Sequence, residues 1–123
     1  MKLHLTTGEG HNLFSSHGSD YVAVNGVRYE TSILVTPGSI AEWAVAGFET
    51  LSVADFKPLL ALRPDVLILG TGSTTRFPAR ELTLALAAAG VGLEVMDNGA
   101  ACRTYNIVAA EGRRVAAAIL MGK

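Results

Sequence analysis

Two short segments concentrate the residue types that could do chemistry. The first is Gly70-Thr71-Gly72-Ser73-Thr74-Thr75-Arg76; the second is Met96-Asp97-Asn98-Gly99-Ala100-Ala101, followed by Cys102 and Arg103. Glycines after a buried strand let backbone N–H groups approach a ligand, and a following helix N-terminus adds partial positive charge. Arg76 would then supply a bidentate clamp for phosphate or carboxylate. In the second segment, small residues at a helix start leave its free N–H groups open to a polar ligand. Asp97 works against an anion if it points inward, and its other reading is an N-cap. The candidate set for a small anionic ligand is therefore Gly70, Thr71, Gly72, Ser73, Thr74, Arg76, Asn98, Gly99 and Ala101. The named nucleotide motifs are not met. Thr75 stands where the dinucleotide fingerprint needs its third glycine, and no Gly-Lys-Ser/Thr comes after it. The first loop also reads as a tight turn imposed by topology, its hydroxyls bonded to local backbone.

Catalysis asks for more. Cys102 lies in the first turns of a helix beside Arg103, a setting that lowers a thiol's pKa. A nucleophile needs a base, and His4, His11 and His17 all lie in the N-terminal segment, so only the fold could bring one near. A small buried apolar residue is the commoner fate of a free cysteine. His11 and His17, with Glu9 and Asp20, match no metal-ligand spacing, so neither a metal nor a cofactor is expected. Tyr105 could share a helix face with Cys102, or anchor the helix against a neighbouring strand.

The elements that position these segments are legible. Val66-Leu67-Ile68-Leu69 is an uninterrupted apolar run, as in a parallel strand covered on both faces. Pro78 stands where a helix would begin; Leu82, Ala85, Leu86 and Ala89 then form one stripe, and Gly90 ends it. Val91 to Met96 reads as the next strand. The pattern repeats: Asp97 or Asn98 caps a helix running to about Glu111, Gly112 stops it, and 115–120 form a third strand. Two such crossovers make the three strands parallel with right-handed connections, so both loops fall at the carboxyl edge where ligands bind in open α/β sheets. Upstream, Tyr21 to Tyr29 around Asn25-Gly26 signals a hairpin with a type I′ turn. A strand from Thr31 to Thr36 stops at Pro37-Gly38, and Leu3 and Leu5 suggest an edge strand. These antiparallel strands are expected to join the parallel ones in a single mixed sheet. Residues 40–50 lack a clean period and read as an extended cover over the core. Ser52 to Asp55 resembles a capping box, and Pro58 breaks the helix it would start into two short turns.

The run VLILGTGSTTRFP, the segment GLEVMDNGAACRTYNIVAAEGRRVAAAIL and the earlier NGVRYETSILVTP carry a family resemblance. Together they resemble the small domain of mitochondrial respiratory complex I assembly factor 3 and its bacterial and archaeal relatives, mostly of unknown function. The resemblance covers nearly the whole chain. It implies a three-layer α/β fold with a mixed central sheet, and a role in protein assembly in the mitochondrial members. It implies no established enzyme activity.

Composition bounds the rest. At 123 residues, half of them hydrophobic, the chain is expected to form one domain with an ordered core. Ten basic against eleven acidic residues argue against a general attraction to nucleic acid or anionic membrane. One cysteine excludes an internal disulfide. The first residues lack the apolar core of a signal peptide, and no run is long enough to span a membrane, so a cytoplasmic protein is expected. The leading functional expectation is a non-enzymatic binding or assembly domain acting on an unidentified protein partner. The rival is a carrier or enzyme for a phosphate- or carboxylate-bearing small molecule, using the loops at 70–77 and 96–101. Self-association through the hairpin edges is a further alternative.

Overall fold

The structure is a computed structural model and describes residues 11–121; the strand expected around Leu3 and Leu5 lies outside them. Its centre is β6 (Val66–Gly70), whose Leu67, Ile68 and Leu69 are fully buried. The strand pairs in parallel with β7 (Gly92–Met96) on one side and β8 (Val115–Ile119) on the other. β4 (Ile33–Thr36) adds antiparallel to β8, and β5 (Ser39–Glu42) adds antiparallel to β4. The order of the mixed sheet is thus β5-β4-β8-β6-β7.

Side-chain alternation along these strands separates two apolar layers. Leu67, Leu69, Ala116, Ala118 and Leu34 face helix α2 (Arg80–Ala88), Trp43 and Phe56. Ile68, Val115, Ala117, Ile119, Ile33 and Val35 face helix α3 (Asn98–Ala110) and the strands before β4. The three-layer mixed architecture is therefore as expected. β8 is alanine-rich because both its faces are covered; Ala116, Ala117 and Ala118 have no exposed surface.

The N-terminal hairpin departs from expectation. Strands β1 (Phe14–His17), β2 (Val22–Val24) and β3 (Val27–Tyr29) form a separate antiparallel sheet rather than extending the central one. The place beside β8 is taken by β4, and the hairpin instead packs its apolar face, Val22 and Val24, onto the layer below α3. Its turn is as expected, with Asn25 at φ 51 and Gly26 at φ 84.

Smaller corrections have local causes. Residues 40–42, expected to be part of an extended cover over the core, belong to strand β5, because Pro37-Gly38 turns the chain back along β4 instead of ending the sheet. Helix α2 starts at Arg80 with Ala79 at its N-cap, so Pro78 precedes the helix. Gly90 and Gly112, at φ 84 and 79, do take the left-handed conformation expected of helix stops. Asp97 caps α3 by accepting the Ala100 N–H at 2.9 Å. Asp55 accepts the Ser52 N–H at 2.9 Å, and a 3-10 turn at Val53–Phe56 runs into the single turn α1 (Lys57–Leu60), so the two short turns are present.

Side chains, not a strand ladder, fasten the second sheet to the body. Asn12 donates its backbone N–H to Pro37 O (3.0 Å) and its Nδ2 to Thr36 O (2.9 Å), while its Oδ1 accepts from Asn25 Nδ2 (2.9 Å). The Asn12 carbonyl accepts the Tyr105 hydroxyl at 2.9 Å. One residue later in α3, Asn106 accepts from Phe14 N (2.9 Å) and donates to Phe14 O (2.8 Å), filling the place of a neighbouring strand. The Tyr105 ring meets Phe14 edge-on, with centroids 5.1 Å apart. Tyr105→Phe leaves a buried carbonyl without its donor and is expected to cost about 1–3 kcal/mol in urea unfolding. Tyr21→Phe, at a half-buried position, should cost under about 0.5 kcal/mol; equal costs would contradict this assignment.

Candidate functional site

β6 and β7 are neighbours, and the loops after them lead to helices in opposite layers. This is the arrangement that opens a crevice at the carboxyl edge of a parallel sheet. The segments 70–77 and 96–101 therefore do emerge side by side, and they are bonded to one another. Thr71 N–H donates to Met96 O at 2.9 Å, and Asn98 N–H donates to Gly72 O at 2.8 Å. The Asn98 side chain, 7% exposed, closes the arrangement: Oδ1 accepts from Gly72 N at 3.0 Å, and Nδ2 donates to Leu120 O at 2.9 Å. Gly70 makes room for it. A Cβ there would collide with Asn98 Oδ1 and stand 3.0 Å from Ile119 Cδ1.

The polar groups of the first loop also turn inward. Thr71 is buried; its hydroxyl donates to Thr74 O at 2.6 Å and accepts the Arg76 N–H at 3.0 Å. The Arg76 guanidinium donates through Nε and Nη2 to Thr71 O, at 3.3 and 3.0 Å, and lies 4.5 Å from the centre of the Phe48 ring. Gly72 sits at φ 102, where a side chain would be strained. Ser73, Thr74 and Thr75 remain exposed, and Phe77 beside them is 77% exposed. Of the expected ligand contacts, Gly70, Thr71, Gly72, Arg76 and Asn98 thus share one bonded network. Gly99 and Ala101 lie on α3; Ala101 is buried and packs toward Gly70.

Cys102 and His17 are brought to the same place. Both line a depression of about 380 Å³ with Phe14, Arg103 and Asn106, and the His17 ring lies against Gly99 at the start of α3. Cys102 is 2% exposed. Burial pushes its pKa up to about 12, outweighing the opposite pull of Arg103. The expectation that Arg103 and the helix start would favour a thiolate is corrected by desolvation. His11 lies elsewhere, lining a cavity with Leu62, Pro64, Arg113 and Arg114. Tyr105 faces the Asn12 carbonyl, the anchoring role, and burial raises its pKa.

Sequence reasoning missed the bridging role of Asn98. Its signal was present as a small residue, Gly70, ending a strand whose other residues, Val66 to Leu69, are all bulky. It also missed the stacking of Arg76 on Phe48, 28 positions earlier, which has no local signature.

A family model described as "Protein of unknown function (DUF498/DUF598)" matches residues 14–120. Among curated proteins, "NADH dehydrogenase [ubiquinone] 1 alpha subcomplex assembly factor 3" of Danio rerio is 33% identical over 99 residues, covering 79% of this chain and 57% of that protein. The Bos taurus protein of the same name is 29% identical over 107 residues, 85% of this chain and 58% of its own length. The chain thus spans less than two thirds of these relatives. An uncharacterised Rhodobacter capsulatus protein is 31% identical, with 85% and 80% covered. A solved Bordetella parapertussis structure is 38% identical, covers 91% of this chain and 97% of that one, and superposes with a TM-score of 0.85. Another, titled an outer membrane protein from Bartonella henselae, is 26% identical, with 94% and 98% covered and a TM-score of 0.80.

Two outcomes test this geometry. Asn98→Ala leaves Gly72 N–H and Leu120 O without partners and should cost about 2–4 kcal/mol in urea unfolding. A cost under about 1 kcal/mol would show the bridge to be dispensable. Iodoacetamide at pH 8 should leave Cys102 unmodified in the native protein and label it in urea. Because the unfolded thiol ionises near 9 and the native one near 12, the unfolded state binds fewer protons between them. This group's contribution to stability is therefore lost as pH rises through that window. Rapid native labelling would contradict the burial of the thiol.

Proposed function

The chain belongs to the family of proteins of unknown function DUF498/DUF598, and from that premise we propose that it is a non-enzymatic, protein-binding domain of the assembly-factor kind. The observation that carries the reading is where the reactive groups are used. Asn98, Thr71 and Arg76 are bonded within the fold, and Cys102 is held neutral. What the surface offers instead is apolar area: Phe77 is 77% exposed, Ile107 61% and Leu84 56%. The vertebrate relatives named as assembly factors support the same reading. Their partners belong to longer proteins, so the partner of this chain is unidentified. We place the protein in the cytoplasm; among the described residues no helix is long and apolar enough to cross a membrane.

A second reading keeps the two loops as a site for a small phosphate- or carboxylate-bearing ligand. What favours it is the adjoining loops, the exposed hydroxyls of Ser73 to Thr75 and the half-buried Arg76 beside them.

The tagged chain, recovered from its own cells at native abundance, should elute as a stoichiometric complex with one protein. Phe77→Asp should weaken that complex without lowering the melting temperature. A chain that elutes alone, yet is stabilised in thermal shift by a sugar phosphate only while Arg76 is intact, would favour the second reading over the first. Fractionation checks the compartment: recovery in the membrane pellet would overturn the cytoplasmic placement.

A further inference from the structure

Among the described residues, β5 is a free edge of the central sheet, and β3 is a free edge of the second sheet. Between them runs a groove of about 460 Å³, lined by Val27, Tyr29, Ile33, Ile40 and Glu42 among others. Val27 is 52% exposed on its wall.

The backbone of β5 is set to receive a strand. Trp43 N–H donates to Ser32 O at 2.8 Å, so Ser32 and Trp43 form a bonded pair. Bonded and non-bonded pairs alternate along an antiparallel ladder. Counting along the observed register, Leu34–Ala41 and Thr36–Ser39 are bonded pairs, while Ile33–Glu42 and Val35–Ile40 are not. The N–H and C=O groups of Ile40 and Glu42 therefore point away from β4, toward the open edge. Their side chains share the groove face, because each stands opposite a residue, Val35 or Ile33, of the layer below α3.

We propose that this groove binds an extended segment of another protein, which adds antiparallel to β5 and carries a basic residue two positions before an aliphatic one. The proposal rests on the protein-binding reading above and names the surface and the class of partner. Residues bonded to Glu42 and Ile40 would be two apart in the incoming segment and would point into the groove. The later one meets Ile40, Ile33, Val27 and Tyr29, an apolar wall. The earlier one meets the Glu42 carboxylate, which has no ion-pair partner among the described residues. Main-chain bonds to the edge supply affinity, and these alternate side-chain positions supply selectivity.

The test is an NMR titration of the full-length chain with the peptide acetyl-Ser-Thr-Lys-Thr-Ile-Thr-Ser-amide. The amides of Ile40 and Glu42 should shift downfield and become slower to exchange at millimolar peptide. Replacing the peptide's lysine by glutamate should weaken binding about threefold or more, as expected of an exposed ion pair. The Glu42→Lys variant should reverse that preference. Glu42→Pro removes an outward N–H without removing a bond to β4, so it should abolish binding and leave melting unchanged. Protection of Ile40 and Glu42 in the free chain would show that the edge is already occupied and would overturn the proposal. So would peptide-induced shifts confined to residues 70–77. If the peptide leaves β5 untouched while the tagged chain still recovers a stoichiometric partner, this groove falls and the protein-binding reading stands. If neither binds, both fall.

Discussion

Everything at the carboxyl edge of the sheet depends on one buried side-chain amide. Asn98 reaches over the end of β6, accepting a bond from Gly72 and donating one to Leu120 at the end of β8. Loops leaving parallel strands for opposite layers necessarily part from one another and strand their backbone polar groups at the sheet end. In the interior such groups must find partners or cost about 1–3 kcal/mol each. A carboxamide has both a donor and an acceptor, so one residue can serve two strands. Gly70 is a consequence, since a β-carbon there would displace the amide. The same bridge joins the two loops at the carboxyl edge, where ligands of open α/β sheets commonly sit.

Fastening the second sheet obeys similar logic. Asn12, Asn25, Asn106 and the Tyr105 hydroxyl do by side chain what a ladder would do by backbone. The apolar face formed by Phe14, Val22 and Val24 supplies the area, and the amides supply the registration. The arrangement leaves β3 and β5 as neighbours that are not paired, which is the origin of the groove between them.

How far the sequence foretells this depends on the range of the interaction. The βαβ repeats were legible because their signals are local: the apolar run at 66–69, the stripe of Leu82 and Leu86, glycines at 90 and 112, the cap at Asp97. So was the Asn25-Gly26 turn. The separate N-terminal sheet was not, because nothing within the hairpin distinguishes pairing with β4 from packing below α3. β5 escaped for a related reason: only pairing with β4 makes Ser39 to Glu42 a strand. At the site, the residue types of Thr71, Arg76 and Asn98 were picked out, but they bind parts of the chain itself. Cys102 shows the balance of terms most plainly. Arg103 is visible in sequence, whereas the burial that outweighs it comes from strands far away in the chain.

The proposed protein-binding role starts from a fold in which Asn98, Thr71 and Arg76 are bonded to the chain itself. The family is described as of unknown function, and the vertebrate relatives are named as assembly factors. The most direct test is native-state hydrogen exchange at the Gly72 amide, whose acceptor is the Asn98 side chain. Exchange only through global unfolding, with the same free energy as the amides of Ile68 and Ala117, is the predicted result. Fast exchange at Gly72, while those strand amides stay protected, would mean that the loops part freely and that the crevice is open to a ligand after all.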